Sequence, residues 1–282
     1  MFSPHDDPGP SFAELLRRVG LEPPTPSATA DHAVMITHGT TVVAIRYADG
    51  VVMAGDRRAT SGNLISHRAI EKVFPADRHS GVAIAGAAGP AMDMVKLFQL
   101  QLEHYEKVEA SQLSLDGKAN QLSTMVRNHL PAAMQGLAVV PLFAGYDLAR
   151  GAGRLFQYDV TGGRYEESNF SSTGSGSLHA STVVKLGFRD GLTREESLDL
   201  AINALFTAAD DDSATGGPDL VRGIYPTMAT ITADGFERVS DDSAAEYART
   251  VVEARMADPD GPHAALPPAV TPNGSRGALP KR

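Results

Sequence analysis

The stretch His38-Gly39-Thr40-Thr41-Val42-Val43-Ala44-Ile45-Arg46-Tyr47-Ala48-Asp49-Gly50-Val51-Val52-Met53-Ala54-Gly55-Asp56 decides how this chain is read. Two β-rich runs, Thr41 to Tyr47 and Val51 to Asp56, flank Asp49-Gly50, a pair that tolerates φ > 0 and so predicts a hairpin. What lies before them is different in kind. Met1 to Gly39 is rich in Pro, Ser and Asp, with one helical pattern around Ser11 to Val19. Composition changes where the first strand begins, at Thr40.

A second change comes near Asp258, after which the Pro- and Gly-rich sequence reads as a disordered tail. The expected organisation is therefore a mostly disordered segment over 1–39, one folded domain over 40–256, and a tail over 257–282. Within the domain, further strands are expected at Gly81 to Gly86, Leu142 to Leu148, Arg154 to Val160, Thr227 to Thr232 and Phe236 to Val239. Helical spacing covers Val95 to Tyr105, Leu122 to Leu137, Ser177 to Leu186, Arg194 to Ala209 and Ala244 to Met256. Hairpins, two helices, more strands and two more helices suggest an α+β protein with two antiparallel sheets face to face and helices outside. An ordinary α+β domain fits the same pattern.

Composition narrows the function classes. The chain has 282 residues, 42% of them hydrophobic, and a formal net charge of -9. That balance argues against a nucleic-acid surface. The absence of cysteine removes disulfides, thiolate metal sites and a cysteine nucleophile. No apolar run approaches the ~20 residues that span a bilayer, and the acidic, Pro-rich start does not read as a secretory signal. A cytoplasmic protein is expected. The nine histidines form no H-E-x-x-H pair, so neither a catalytic metal nor a cofactor is expected.

The candidate chemistry starts at Gly39-Thr40. A hydroxyl is a weak nucleophile unless a base takes its proton, and a terminal threonine carries a base in its own amine. That amine has a pKa of about 7.7 to 8.0. While Gly39 is attached the nitrogen is an amide and cannot act, so cutting between Gly39 and Thr40 would activate the chain. Asp56, ending the second strand, and Lys72, entering another, could place an ammonium beside Thr40 and lower its hydroxyl pKa. A surface salt bridge is the bland alternative for that pair. Gly86 could offer an N–H to an oxyanion, or could be a plain strand-to-helix turn. Gly174-Ser175-Gly176 lacks the third glycine and the lysine of a phosphate loop. The run Asp210-Asp211-Asp212-Ser213-Ala214-Thr215-Gly216-Gly217 lacks the alternating ligands of a calcium loop, and it closes a helix, where negative charge is unfavourable.

Taken in order, His38-Gly39-Thr40-Thr41, Gly55-Asp56-Arg57-Arg58, Lys72-Val73, Ala85-Gly86, Gly174-Ser175-Gly176-Ser177 and Asp212-Ser213-Ala214-Thr215-Gly216-Gly217 resemble a proteasome β subunit of the actinobacterial type. The resemblance implies the four-layer αββα sandwich of N-terminal-nucleophile hydrolases, with 1–39 as a removable propeptide. It implies Thr40 as nucleophile, Asp56 and Lys72 as the charged pair, the Gly86 amide as oxyanion donor, and Ser175, Asp212 and Thr215 as a polar cluster beside the freed amine. The archaeal pattern commonly has Ser where Thr215 stands. The substrate pocket maps to Ala59, Thr60, Ile70, Phe74, Ile84, Ala88 and Met92, mostly small and apolar, which suggests cleavage after hydrophobic residues. The bland reading is that they fill the core. The resemblance further implies seven-membered rings of this chain, capping rings of α subunits, an indirectly attached ring ATPase, and unfolded substrates delivered with a small protein tag. A six-membered double-ring threonine protease and a catalytically silent ring scaffold are the competing readings.

Overall fold

The computed structural model describes residues 39–258. The expected helix near Ser11 to Val19, the propeptide before Gly39 and the C-terminal tail beyond Asp258 lie outside them. The strands are β1 (Thr41–Tyr47), β2 (Gly50–Gly55), β3 (Ala59–Ser61), β4 (Leu64–His67), β5 (Val73–Asp77), β6 (Ser80–Gly86), β7 (Val139–Asp147), β8 (Ala152–Tyr158), β9 (Arg164–Glu167), β10 (Phe170–Gly174), β11 (Thr227–Thr232) and β12 (Gly235–Arg238). The helices are α1 (Ala88–Glu109), α2 (Leu115–Asn128), the short α3 (Leu130–Ala133), α4 (Ser177–Gly187), α5 (Arg194–Asp211) and α6 (Asp241–Ala257).

Two five-stranded antiparallel sheets form, ordered β10-β1-β2-β11-β12 and β5-β6-β7-β8-β9, with β3 and β4 as a separate hairpin. Three apolar layers show how they stack. Val42, Ala44, Val51 and Met53 of the first sheet meet Ala83, Leu142 and Leu155 of the second. The alternate residues Val43, Ile45, Val52 and Ala54 face Val183, Leu198, Ile202 and Leu205 of α4 and α5. Val82, Ile84, Phe143 and Phe156 face Phe98, Leu102, Leu122 and Val126 of α1 and α2. Strand period two sends successive side chains to opposite layers, so strands buried on both faces read as continuous apolar runs. The result is the expected αββα sandwich.

Three local differences from the sequence reading have physical causes. In the first hairpin Tyr47 pairs with Gly50, so Ala48 and Asp49 make the turn. Gly50 is glycine because a Cβ there would collide with the Ile231 carbonyl of β11, and its φ is not positive. The helix expected to reach Leu137 stops at Asn128, with Pro131 in the first turn of the short α3. A proline ring disfavours helical conformation in the residue before it and supplies no N–H. The β3–β4 hairpin and β9 were missed because their strands are short and largely exposed, with too little alternation to read.

Phe143 is fully buried between edge-on Phe98, 5.8 Å away, and Phe156, 5.9 Å away. Phe143→Ala should lower the unfolding free energy by about 3–5 kcal/mol, read as a lower urea midpoint at unchanged slope. A loss under about 1 kcal/mol would contradict this packing.

Candidate active site

One end of the sandwich collects every residue expected to carry chemistry except Phe74. Thr40 enters β1, Asp56 leaves β2, and the hairpin register sets them side by side, with the Asp56 N–H donating to the Thr41 carbonyl at 3.1 Å. Lys72 stands just before β5 of the other sheet. Gly86 ends β6, Ser175 follows β10, and Asp212 to Thr215 follow α5.

Asp56 is fully buried and accepts from four donors. Its Oδ1 takes the Thr41 N–H at 2.8 Å and Lys72 Nζ at 2.7 Å. Its Oδ2 takes the backbone N–H groups of Arg58 at 2.8 Å and Gly216 at 2.9 Å. Lys72 Nζ also donates to the Arg58 carbonyl at 2.6 Å and lies 3.5 Å from the Gly39 carbonyl oxygen. This is a buried, fully partnered pair, so the surface-salt-bridge alternative is excluded. Burial pulls the Lys72 pKa below its ordinary value against the opposing pull of Asp56, which leaves its proton easier to give up.

Thr40 is buried, and its hydroxyl donates to the Gly39 carbonyl at 2.7 Å. Its N–H donates to Ser175 Oγ at 3.3 Å, and Ser175 Oγ donates to Asp212 Oδ2 at 2.5 Å. The same Oδ2 accepts from Thr215 Oγ1 at 2.6 Å, and Thr215 Oγ1 is 2.5 Å from Thr41 Oγ1. The acidic run at the end of α5 thus has its reason: Asp212 receives two hydroxyls and, at Oδ1, the Ala214 N–H at 3.1 Å. Burial works to raise the Asp212 pKa, but the hydrogen bonds from Ser175, Thr215 and Ala214 outweigh it and hold the carboxyl below its usual range.

Two glycines are dictated by close approach. A Cβ on Gly39 would run into the Ala214 methyl and sit 2.6 Å from the Ala214 Cα and carbonyl oxygen. Gly86 has φ +112°, and a Cβ there would strike the Ala138 carbonyl.

Beside Thr40 opens a mainly apolar pocket lined by Ala59, Ile70, Lys72, Ile84, Gly86, Ala88 and Met92. Phe74 and Thr60 are not among its lining residues. Strand alternation takes Phe74 to the helix layer, where it packs with the α1–α2 core, while its neighbour Val73 faces between the sheets. Thr60 instead accepts the Gly39 N–H at 3.2 Å. Glu71 and Ala91 line the pocket and were not anticipated. Thr41 and Gly176 also escaped the sequence reading. The Gly176 N–H donates to Thr41 Oγ1 at 3.0 Å, and Thr41 Oγ1 meets Thr215 Oγ1, so the second threonine of the Thr40-Thr41 pair ties β1 to the Asp212 cluster. Among the described residues no group of three or more His, Asp or Glu could hold a metal ion, and no helix is long and apolar enough to cross a membrane.

This fold, with a threonine at the mouth of its first strand, defines an N-terminal-nucleophile hydrolase architecture. The family model described as "Proteasome subunit" matches residues 36–221, and the chain belongs to that family. Within it the chain goes with the β subunits, and its activity is that of a peptidase. It is 60% identical over 234 residues to the proteasome subunit beta of Streptomyces griseus, covering 83% of each chain. To that of Acidimicrobium ferrooxidans it is 55% identical over 248 residues, or 88% of this chain and 91% of the relative. To that of Acidothermus cellulolyticus it is 57% identical over 236 residues, or 82% and 81%.

Because the native Asp212 pKa is depressed, its stabilisation is fully present above the ordinary carboxylate pKa and is lost as pH falls through the native value. Asp212→Asn should therefore unfold at a lower temperature than the unchanged chain at neutral pH, with the gap closing in acid. A gap that stays constant down to the acid limb would show that the carboxylate is not the origin of the difference.

Proposed function

We propose that this chain is the threonine-type catalytic subunit of a 20S-type proteasome, made as a precursor and activated by its own cut between Gly39 and Thr40. The observation that carries the reading is the convergence of three groups: the Thr40 hydroxyl 2.7 Å from the Gly39 carbonyl oxygen, and Lys72 Nζ 3.5 Å from that same oxygen. In the first step Thr40 Oγ bonds to the Gly39 carbonyl carbon and its proton is taken up locally. The Lys72 ammonium stabilises the charge that develops on the carbonyl oxygen. The C–N bond then breaks, its nitrogen takes a proton, and an ester joins Gly39 to Thr40 Oγ. Water hydrolyses the ester, leaving a carboxylate on Gly39 and a free amine on Thr40.

That amine lies where the amide nitrogen was, beside Ser175 and the Asp212 cluster. As the base of the mature site it takes the Thr40 hydroxyl proton when the oxygen attacks a substrate carbonyl. Lys72, held by Asp56 and the Arg58 carbonyl, keeps the hydroxyl pKa low. The Gly86 N–H is the expected donor to the substrate oxyanion. The adjoining pocket, with Ala59, Ile70, Ile84, Ala88 and Met92 in its wall, suits a hydrophobic side chain on the acyl side of the cut bond.

Family membership supports assembly into rings with other proteasome subunits. We place the chain in a cytoplasmic, seven-membered ring capped by α subunits, with a ring ATPase and a small protein tag delivering unfolded substrates. Class averages of the particle with six-fold symmetry would move it to the related double-ring peptidase instead.

The test is intact mass and N-terminal sequencing after co-expression with the α subunit. The unchanged chain should begin at Thr40, and Thr40→Ala should keep its full N-terminal segment and show no peptide hydrolysis. Gly39→Ala should slow the cut strongly, because its methyl meets Ala214 and displaces the carbonyl. Lys72→Ala should lose at least about 10²-fold in rate, the scale of one oxyanion-type contact. An uncut chain in a fully assembled, inactive particle would identify a scaffold subunit.

A further inference from the structure

Behind the Asp56–Lys72 pair lies a second recess, away from the apolar pocket. It is a small recess open to solvent, lined by Arg57, Arg58 and Arg68 with Gly216, Gly217, Asp219, Ile224, Tyr225 and Pro226. Three guanidiniums in one small recess are unusual for a chain with a net charge of -9. Repulsion between them is normally offset by carboxylates, and elsewhere in this molecule it is. Arg154 alone gathers Asp116, Asp147 and Glu166.

Here the compensation is missing. Among the described residues no Asp or Glu comes within 4.0 Å of the guanidinium of Arg57, Arg58 or Arg68. Arg57 donates through Nη2 to the Ala69 carbonyl at 3.3 Å, and Arg58 through Nη1 to the Ser213 carbonyl at 2.9 Å. The Nε of Arg57 is buried without any acceptor. A buried donor left unpaired costs about 1–3 kcal/mol. The lining carboxylate, Asp219, is already committed. It accepts the N–H groups of Val221 and Arg222 through Oδ1, and Arg222 Nη1 through Oδ2 at 2.7 Å.

We propose that this recess is a binding site for one oxyanion, a phosphate or a carboxylate. Planar guanidiniums present paired donors that match either group, and an anion there would neutralise the cluster. Two sources supply that chemistry: a free anion from solution, or an acidic side chain of a neighbouring subunit. The site is also joined to the catalytic pair. Arg58 and Gly216 line the recess, yet their N–H groups bind Asp56 and the Arg58 carbonyl binds Lys72.

The experiment compares the assembled particle with the same particle carrying Arg68→Gln, an exposed position whose change should not disturb folding. Inorganic phosphate is titrated against chloride at constant ionic strength while the unfolding midpoint and the sedimentation profile are followed. A free-anion site predicts a saturable rise in midpoint with phosphate, weakened at least ~10-fold in apparent affinity by Arg68→Gln. That loss equals about 1.4 kcal/mol. A carboxylate from a neighbouring subunit predicts the opposite sign: phosphate competes, the midpoint falls saturably, and Arg68→Gln already sediments as smaller species. Phosphate and chloride acting alike, and equally on both particles, would overturn the proposal. Neither readout depends on peptide hydrolysis, so this outcome is separate from any failure of the threonine mechanism.

Discussion

The buried carboxylate of Asp56 is the constraint on which the site depends. Burying a charge costs several kcal/mol unless hydrogen bonds and an opposite charge replace water. Asp56 receives four donors, and they come from four separate pieces of chain: β1 through Thr41, the loop after β2 through Arg58, the approach to β5 through Lys72, and the loop after α5 through Gly216. Satisfying one carboxylate therefore fixes both sheets and the outer helix layer relative to one another at this end of the molecule. Removing one partner of such a pair costs on the order of 3–5 kcal/mol, because the other charge stays buried. Lys72 is held as firmly, since Asp56 and the Arg58 carbonyl occupy two of its three donor positions. The third is left toward Gly39.

This division explains why the end of β1 can carry the proposed reactive group without loosening the fold. The apolar layers are made by residues such as Val42, Val43 and Ile45, beginning two positions beyond Thr40. Thr40 itself is fixed by backbone and hydroxyl contacts: the Ser175 N–H binds its carbonyl at 2.8 Å, and the Ser175 hydroxyl accepts its N–H. Cutting the bond before Thr40 frees a nitrogen without taking any side chain out of the core.

Much of this was legible in the sequence, and what was not has a common cause. The strands of both sheets are buried on two faces, so Thr41 to Tyr47 and Gly81 to Gly86 stand out as apolar runs. Asp56 and Lys72 could be placed because each sits at the end of such a run, where the hairpin dictates position. Long-range matches between short loops could not be read that way. Thr41 hydrogen-bonds to Thr215 and Gly176 across separations of 174 and 135 residues. No local periodicity reports a partner that distant. Gly176 left a signal only in retrospect: a Cβ there would lie 2.5 Å from Thr41 Oγ1 and 2.7 Å from Thr215 Oγ1.

One polar relay serves two chemical states of the same nitrogen. With Gly39 attached, the Thr40 nitrogen is an amide with one hydrogen, and it spends that hydrogen on Ser175 Oγ. Ser175 in turn donates to Asp212, whose carboxyl is held below its usual pKa and so stays ionised as an acceptor. Once the nitrogen becomes an amine it gains hydrogens and a lone pair. The hydrogens have an anionic chain, through Ser175 to Asp212, that fixes their direction. On the proposed mechanism the lone pair is then left to face the Thr40 hydroxyl, while the Lys72 ammonium sits beside Asp56. The proposed base and the cation are thereby anchored by different carboxylates, Asp212 and Asp56. Separate anchors matter because one shared carboxylate would bring amine and ammonium together and raise the cost of charging either.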